Sequence, residues 1–163
     1  MSAKNTPARR TSATATGIIA GLIILMFSYA ALSKLTFYEE SRKAMLNQVF
    51  PKAIALQLVW LVPAIEIATA VLLLFDRTRL RGFYASALLM TAFTLYIAFS
   101  MSGAFGRIPC SCGGILVQMD YNTHLIFNLS FLALSLTGIF IEQPVFNPKR
   151  LHLKKERRKP GNN

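Results

Sequence analysis

The segment GFYASALLMTAFTLYIAFSMSGAFG, residues 82–106, carries no charged side chain over 25 consecutive positions. An α-helix needs about 20 apolar residues to cross a hydrocarbon core of about 30 Å. Backbone amides find no water inside a bilayer, so a spanning segment must be a helix or part of a closed barrel. The segment lacks the two-residue alternation of a barrel strand. It therefore predicts a transmembrane helix.

Three further stretches have the same character. Residues 17–33 are uncharged, residues 53–75 are interrupted only by Glu66, and residues 121–141 are apolar apart from His124 and a few amides and hydroxyls. We therefore predict an all-α fold, an integral membrane four-helix bundle. The predicted spans are 17–37, 54–75, 82–101 and 122–142, which form one domain over residues 17–142 between basic tails at 1–16 and 143–163.

The composition agrees with this assignment. Hydrophobic residues make up 53% of the 163 residues and charged residues 15%, whereas a typical soluble domain is about 25% charged. A disordered chain with a net charge of +11 would be poor in aliphatic residues, and this chain is rich in them. Ordinary soluble and disordered classes are therefore excluded.

The first apolar run also has the features of a cleaved signal peptide, because Lys4, Arg9 and Arg10 precede it. The run continues through residues 32–37, which is long for the apolar region of such a peptide. A retained helix is the favoured interpretation. Cleavage would remove one helix and leave the sidedness of the others unchanged.

The basic residues predict the orientation. Of the 18 lysines and arginines, 13 lie in the two tails and in the 76–81 turn. Cytoplasmic segments carry this excess of basic residues. We therefore expect the protein in a bacterial inner (plasma) membrane, with both termini in the cytoplasm and the 38–53 and 102–121 loops outside. The basic tail at 149–159 directly follows a span, where it would contact anionic lipid headgroups. No nucleic-acid partner is expected.

The outer loop at 102–121 holds the chain's two cysteines, Cys110 and Cys112. On the oxidising side of a membrane, disulfides form and persist. A relaxed disulfide needs Cα atoms about 5.5–6 Å apart, closer than an extended Cys-x-Cys allows. A bridge therefore needs a turn, which Pro109 and Gly113-Gly114 permit. Strained, exposed disulfides are typically labile or catalytic, so we favour thiol–disulfide exchange.

Other roles remain open for this loop. The cysteines would also suit two free thiols, an inert local bridge, or a membrane subunit of a larger complex in which they are incidental. With His124 and a methionine, Met101 or Met119, they offer soft ligands for Cu(I). A structural zinc site is less favoured because it needs four ligands. We expect no resident metal.

His124 is the third candidate catalytic residue, near the outer end of the last span. It would stabilise a thiolate or pass a proton, or else hydrogen-bond a neighbouring helix. Asn128 and Ser135 lie on the same helix face, and for them interhelical hydrogen bonding is the favoured role.

Two charged residues fall within the predicted spans, where charge is costly and often functional. Glu66 would be a proton-accepting or quinone-contacting carboxyl, or a structural acid that hydrogen-bonds another helix. Lys34 is expected to extend to the headgroups. Reaching Glu66 would require it to point inward by about 11 Å, two helical turns, so a direct salt bridge is not expected.

In sequence, several stretches together resemble the MauE family, the methylamine-utilisation membrane proteins, and the wider DoxX-like group. The stretches are Ser33-Lys34-Leu35, Val62-Pro63-Ala64-Ile65-Glu66, and Ile108-Pro-Cys-Ser-Cys-Gly-Gly leading to His124 and Asn128. The resemblance covers residues 17–142.

The resemblance implies a four-helix redox-associated membrane protein, either a thiol–disulfide oxidoreductase or its membrane partner. In methylamine-utilising bacteria such proteins work with a thioredoxin-like partner to mature a disulfide-rich periplasmic subunit of methylamine dehydrogenase. VKOR-like and DsbB-like proteins, which link disulfides to quinone, typically use two cysteine pairs. This chain has one pair. Either a partner supplies the second pair, or this one pair both exchanges disulfides with a substrate and passes electrons to quinone. A quinone is the cofactor that such chemistry would use.

Overall fold

The computed structural model describes residues 7–102 and 121–143, with side chains from residue 12 onward in the first range and from 122 in the second. These residues form five helices: α1 (Pro7–Thr36), α2 (Tyr38–Leu46), α3 (Lys52–Leu74), α4 (Arg79–Met101) and α5 (Tyr121–Glu142). No strand occurs within these two ranges.

Four of the helices are long and apolar enough to cross a membrane. Their candidate spans are Ser12–Thr36, Lys52–Leu74, Arg79–Met101 and Asn122–Glu142. The all-α four-span prediction is therefore confirmed, because the length of an apolar run is a local property that the sequence displays directly.

Two features of the helices differ from the prediction. α1 begins at Pro7, ten residues before the predicted start at residue 17, since a helix can continue beyond the hydrocarbon core. α2 was expected to be part of a loop; it is a nine-residue helix in which Ser41 is buried and the charged residues are exposed or half-buried. A helix of this length extends about 13 Å, too short to span a bilayer.

The four long helices pack in a ring, α1 against α3, α3 against α4, α4 against α5, and α5 against α1. The shared core contains the buried side chains of Ile23, Phe27, Leu73, Phe83 and Met90. Only 22% to 33% of each span is buried, and large apolar side chains such as Leu25 and Leu88 point outward. Such surfaces suit contact with lipid rather than water.

α4 and α5 pack closely against each other. A Cβ added at Gly138 of α5 would overlap the Phe83 ring of α4, and the Ser86 and Ser135 hydroxyls hydrogen-bond across the same interface at 2.7 Å. Ser135 thus has the interhelical role expected for it. Small residues and hydroxyl pairs are the usual means by which helices approach in membranes.

Replacing Gly138 with valine is expected to lower the free energy of unfolding by about 2 kcal/mol, because overpacking displaces the Phe83 ring. The matched control is Gly17→Val, where an added Cβ meets no atom within 4 Å. Unfolding of both variants in mixed detergent micelles measures the difference. Equal stabilities would show that the interface tolerates a side chain.

Candidate functional site

A cavity of about 270 Å³ lies inside the bundle, at the end where α4 finishes and α5 begins. Its walls come from the second halves of α1 and α4, the first half of α5, α3 as far as Glu66, and the end of α2 with the segment that follows it. Most of the lining is apolar and aromatic, including Phe27, Phe93 and Phe127. The polar lining consists of few side chains, which are Lys34, Gln48, Glu66, Tyr96, His124 and Asn128.

Lys34 and Glu66 form an ion pair on one wall of this cavity. The Lys34 ammonium donates to Glu66 Oε1 at 2.8 Å and to Oε2 at 3.1 Å, and to the Ala30 carbonyl at 3.4 Å. The side chains are 18% and 2% exposed, respectively. The expectation that they would not pair directly was wrong.

The pair forms because the ends of α1 and α3 are not level. Tyr38, two residues after the end of α1, packs against Trp60 with ring centroids 5.2 Å apart. Trp60 lies eight residues into α3, about 12 Å along its axis. The end of α1 is therefore level with the middle of α3, and this offset brings Lys34 within reach of Glu66. The sequence-based expectation had placed the helix ends at one depth.

His124 and Asn128 lie one turn apart on α5, and both line the cavity. His124 is half-buried and within electrostatic range of the Lys34 ammonium. Asn128 is only 3% exposed, and its Nδ2 has no hydrogen-bond partner within the described ranges. The interhelical hydrogen bond expected of this amide is therefore not made by Nδ2. An unpaired buried donor costs about 1–3 kcal/mol.

The segment between α2 and α3 covers another side of the cavity. Gln48 is buried; its Nε2 donates to the Ala44 carbonyl at 3.2 Å, and its Oε1 accepts a hydrogen bond from the Tyr96 hydroxyl. Phe50 stacks on Tyr96 with centroids 5.6 Å apart. The sequence had indicated only a loop here, and no pattern within residues 47–51 points to a contact with α4.

Cys110, Cys112 and Met119 lie outside the described residues. Their loop joins Met101, the end of α4, to Tyr121, the start of α5. Both helix ends flank the cavity, since Ile97 and His124 line it. In residues 7–102 and 121–143, no three His, Cys, Asp or Glu side chains are grouped so that they could hold a metal ion.

The arrangement combines an apolar chamber inside the span region, a buried ion pair and one unpaired buried donor. This combination is typical of a site for a lipid-soluble ligand with few polar atoms. Comparison with protein-family models finds one described as methylamine utilisation protein MauE, which matches residues 12–141. No curated protein and no solved structure matches the chain.

Proposed function

The chain belongs to the MauE family of methylamine utilisation proteins, and from this membership and the site geometry we propose that it is the membrane component of a thiol–disulfide redox system. It is a multi-pass membrane protein associated with methylamine utilisation. In the proposed role it lies in a bacterial plasma membrane, with Cys110 and Cys112 facing the periplasm and a thioredoxin-like protein as partner.

One observation carries the proposal. The loop that contains the two cysteines is attached to two helix ends that line the cavity, α4 through Ile97 and α5 through His124. In the proposal, thiol chemistry in the loop is coupled to this chamber, which holds an imidazole and a largely buried ion pair. Buried ionisable groups inside a membrane protein commonly serve proton or electron pathways.

In the exchange, the electrons and protons lost by one protein are gained by the other. A partner thiolate attacks a Cys110–Cys112 disulfide and forms a mixed disulfide, while the other cysteine leaves as a thiolate. The partner's second thiol then resolves the mixed disulfide. The partner loses two electrons and two protons, and the Cys110/Cys112 pair gains both. The same steps in reverse would reduce the partner.

His124 would stabilise the leaving thiolate or carry its proton, because the thiolate is the reactive form of cysteine. Glu66, paired with Lys34, would accept or return protons deeper in the bundle. His124 and Glu66 would thus carry the protons that accompany the electrons.

Trapping the mixed disulfide tests the proposal. Cys110→Ser and Cys112→Ser each leave one thiol. In cells whose thioredoxin-like partner lacks its own resolving cysteine, the variant that keeps the cysteine of the mixed disulfide should accumulate a covalent adduct with that partner. The adduct should be visible on a non-reducing gel of host-cell membranes and should disappear with dithiothreitol. Cys110→Ser/Cys112→Ser is the matched control and should form none.

Two outcomes would contradict it. No thiol-dependent adduct in either single variant, together with wild-type partner oxidation in the double variant, would assign the protein a non-catalytic role. Retention of about one Cu(I) per chain by purified wild-type protein, lost in the double variant, would assign copper handling instead.

A further inference from the structure

We infer that the cavity between α1, α3, α4 and α5 binds the ring of a neutral, lipid-soluble quinone, with Asn128 Nδ2 donating a hydrogen bond to a carbonyl oxygen of that ring. The role of the quinone in this inference rests on the proposed function, in which the Cys110/Cys112 pair needs an acceptor for two electrons. The binding site itself consists only of residues of the helices and of the segment between α2 and α3.

The size of the cavity selects a single ring. Its volume is about 270 Å³, whereas an apolar cavity of about 150 Å³ is sufficient for benzene. Sites for larger drug-sized molecules begin at about 300 Å³. A substituted six-membered ring with carbonyl groups fits this range, and its lipid tail would have to remain outside.

The lining selects a flat ring with an acceptor. Phe27, Phe93 and Phe127 line the cavity from three different helices, and aromatic rings prefer offset or edge-to-face contact with another ring. Asn128 Nδ2 is buried and has no acceptor in the part of the chain that the structure describes. Asn128 lines the cavity, and rotation of its amide toward the cavity would let a ligand oxygen accept this hydrogen bond.

The electrostatics select a neutral ligand. The Lys34 ammonium already binds both Glu66 oxygens and the Ala30 carbonyl, so its positive charge is compensated. A carboxylate ligand such as a fatty acid would place a second negative charge near Glu66 at a buried, low-dielectric position, which is unfavourable. A carbonyl oxygen carries no net charge and avoids this cost.

The cavity can be reached from the bilayer. Ala92 lines it and is exposed on the surface of α4, within the candidate span Arg79–Met101. A ligand dissolved in lipid would therefore enter beside Ala92 without crossing water. In the redox step, the quinone would take two electrons and two protons from the Cys110/Cys112 dithiol, giving a quinol and a disulfide.

Binding of ubiquinone-1 to the full-length protein in lipid nanodiscs tests the inference, with bound quinone measured by equilibrium dialysis. Wild-type protein should bind about one quinone per chain saturably. Asn128→Leu should weaken binding about tenfold or more, because the carbonyl loses its donor in a buried site. Gln57→Leu makes the same amide-to-leucine change on an exposed lipid-facing position and should leave the affinity unchanged.

A second variant keeps the test decisive if Asn128→Leu does not fold. Ala92→Trp fills the cavity from its exposed side and should abolish saturable binding. Decylbenzene, which has a ring and tail but no carbonyl, should compete about tenfold or more weakly than ubiquinone-1. Equal affinity in Asn128→Leu and wild type, or binding that never saturates, would overturn the inference. Cys110→Ser/Cys112→Ser should still bind quinone, so loss of the thiol adduct and loss of quinone binding are separate results.

Discussion

Lys34→Met is expected to lower the free energy of unfolding by about 3–5 kcal/mol, because it leaves the Glu66 carboxylate, 2% exposed, without its ammonium partner. Glu66→Leu should also destabilise the protein, but less, because Lys34 is 18% exposed and can extend outward. The double variant Lys34→Met/Glu66→Leu removes both charges and should recover most of the loss. Unfolding in mixed detergent micelles, combined as a double-mutant cycle, measures the coupling.

Lys52→Met is the matched control for this cycle. Lys52 is exposed at the start of α3, and loss of an exposed charge usually changes stability by less than about 0.5 kcal/mol. Additive losses in the double variant would contradict the prediction, because they would mean that the two side chains contribute independently rather than as a pair.

Thiol labelling in intact cells is expected to modify Cys110 and Cys112 with a membrane-impermeant maleimide after mild reduction. The physical reason is the distribution of Lys and Arg, which predicts that the 102–121 loop lies on the outer face. In intact cells, an outer cysteine should be labelled and a cytoplasmic cysteine should not be labelled at all, because the bilayer excludes the charged reagent. Labelling before and after permeabilisation, followed by a gel shift, gives the measurement.

The chain offers a control on the opposite side. Arg77 is exposed in the turn between α3 and α4, which the orientation assigns to the cytoplasm. Arg77→Cys in the Cys110→Ser/Cys112→Ser background should be labelled only after permeabilisation. The reverse pattern would invert the orientation and remove the cysteines from the oxidising side, which the proposed redox function requires.

Several residues of the candidate site could be identified from the sequence, but the contacts between them could not. Glu66, His124 and Asn128 stood out because polar residues inside apolar runs are rare. Gln48 and Tyr96 did not, since a glutamine in a loop and a tyrosine in a span are both common. Their hydrogen bond joins residues 48 positions apart, and no local pattern predicts such a contact.

The sequence by itself determined the four spans, because crossing a bilayer depends on the length and polarity of one continuous segment. Only the tertiary structure decided that Lys34 pairs with Glu66 and that Asn128 Nδ2 is left without a partner at the cavity. The ion pair depends on how far α1 is displaced along α3, and the surroundings of Asn128 depend on how α5 packs against its neighbours. That displacement arises from packing between helices, such as the Tyr38 contact with Trp60, and hydrophobic length carries no information about it.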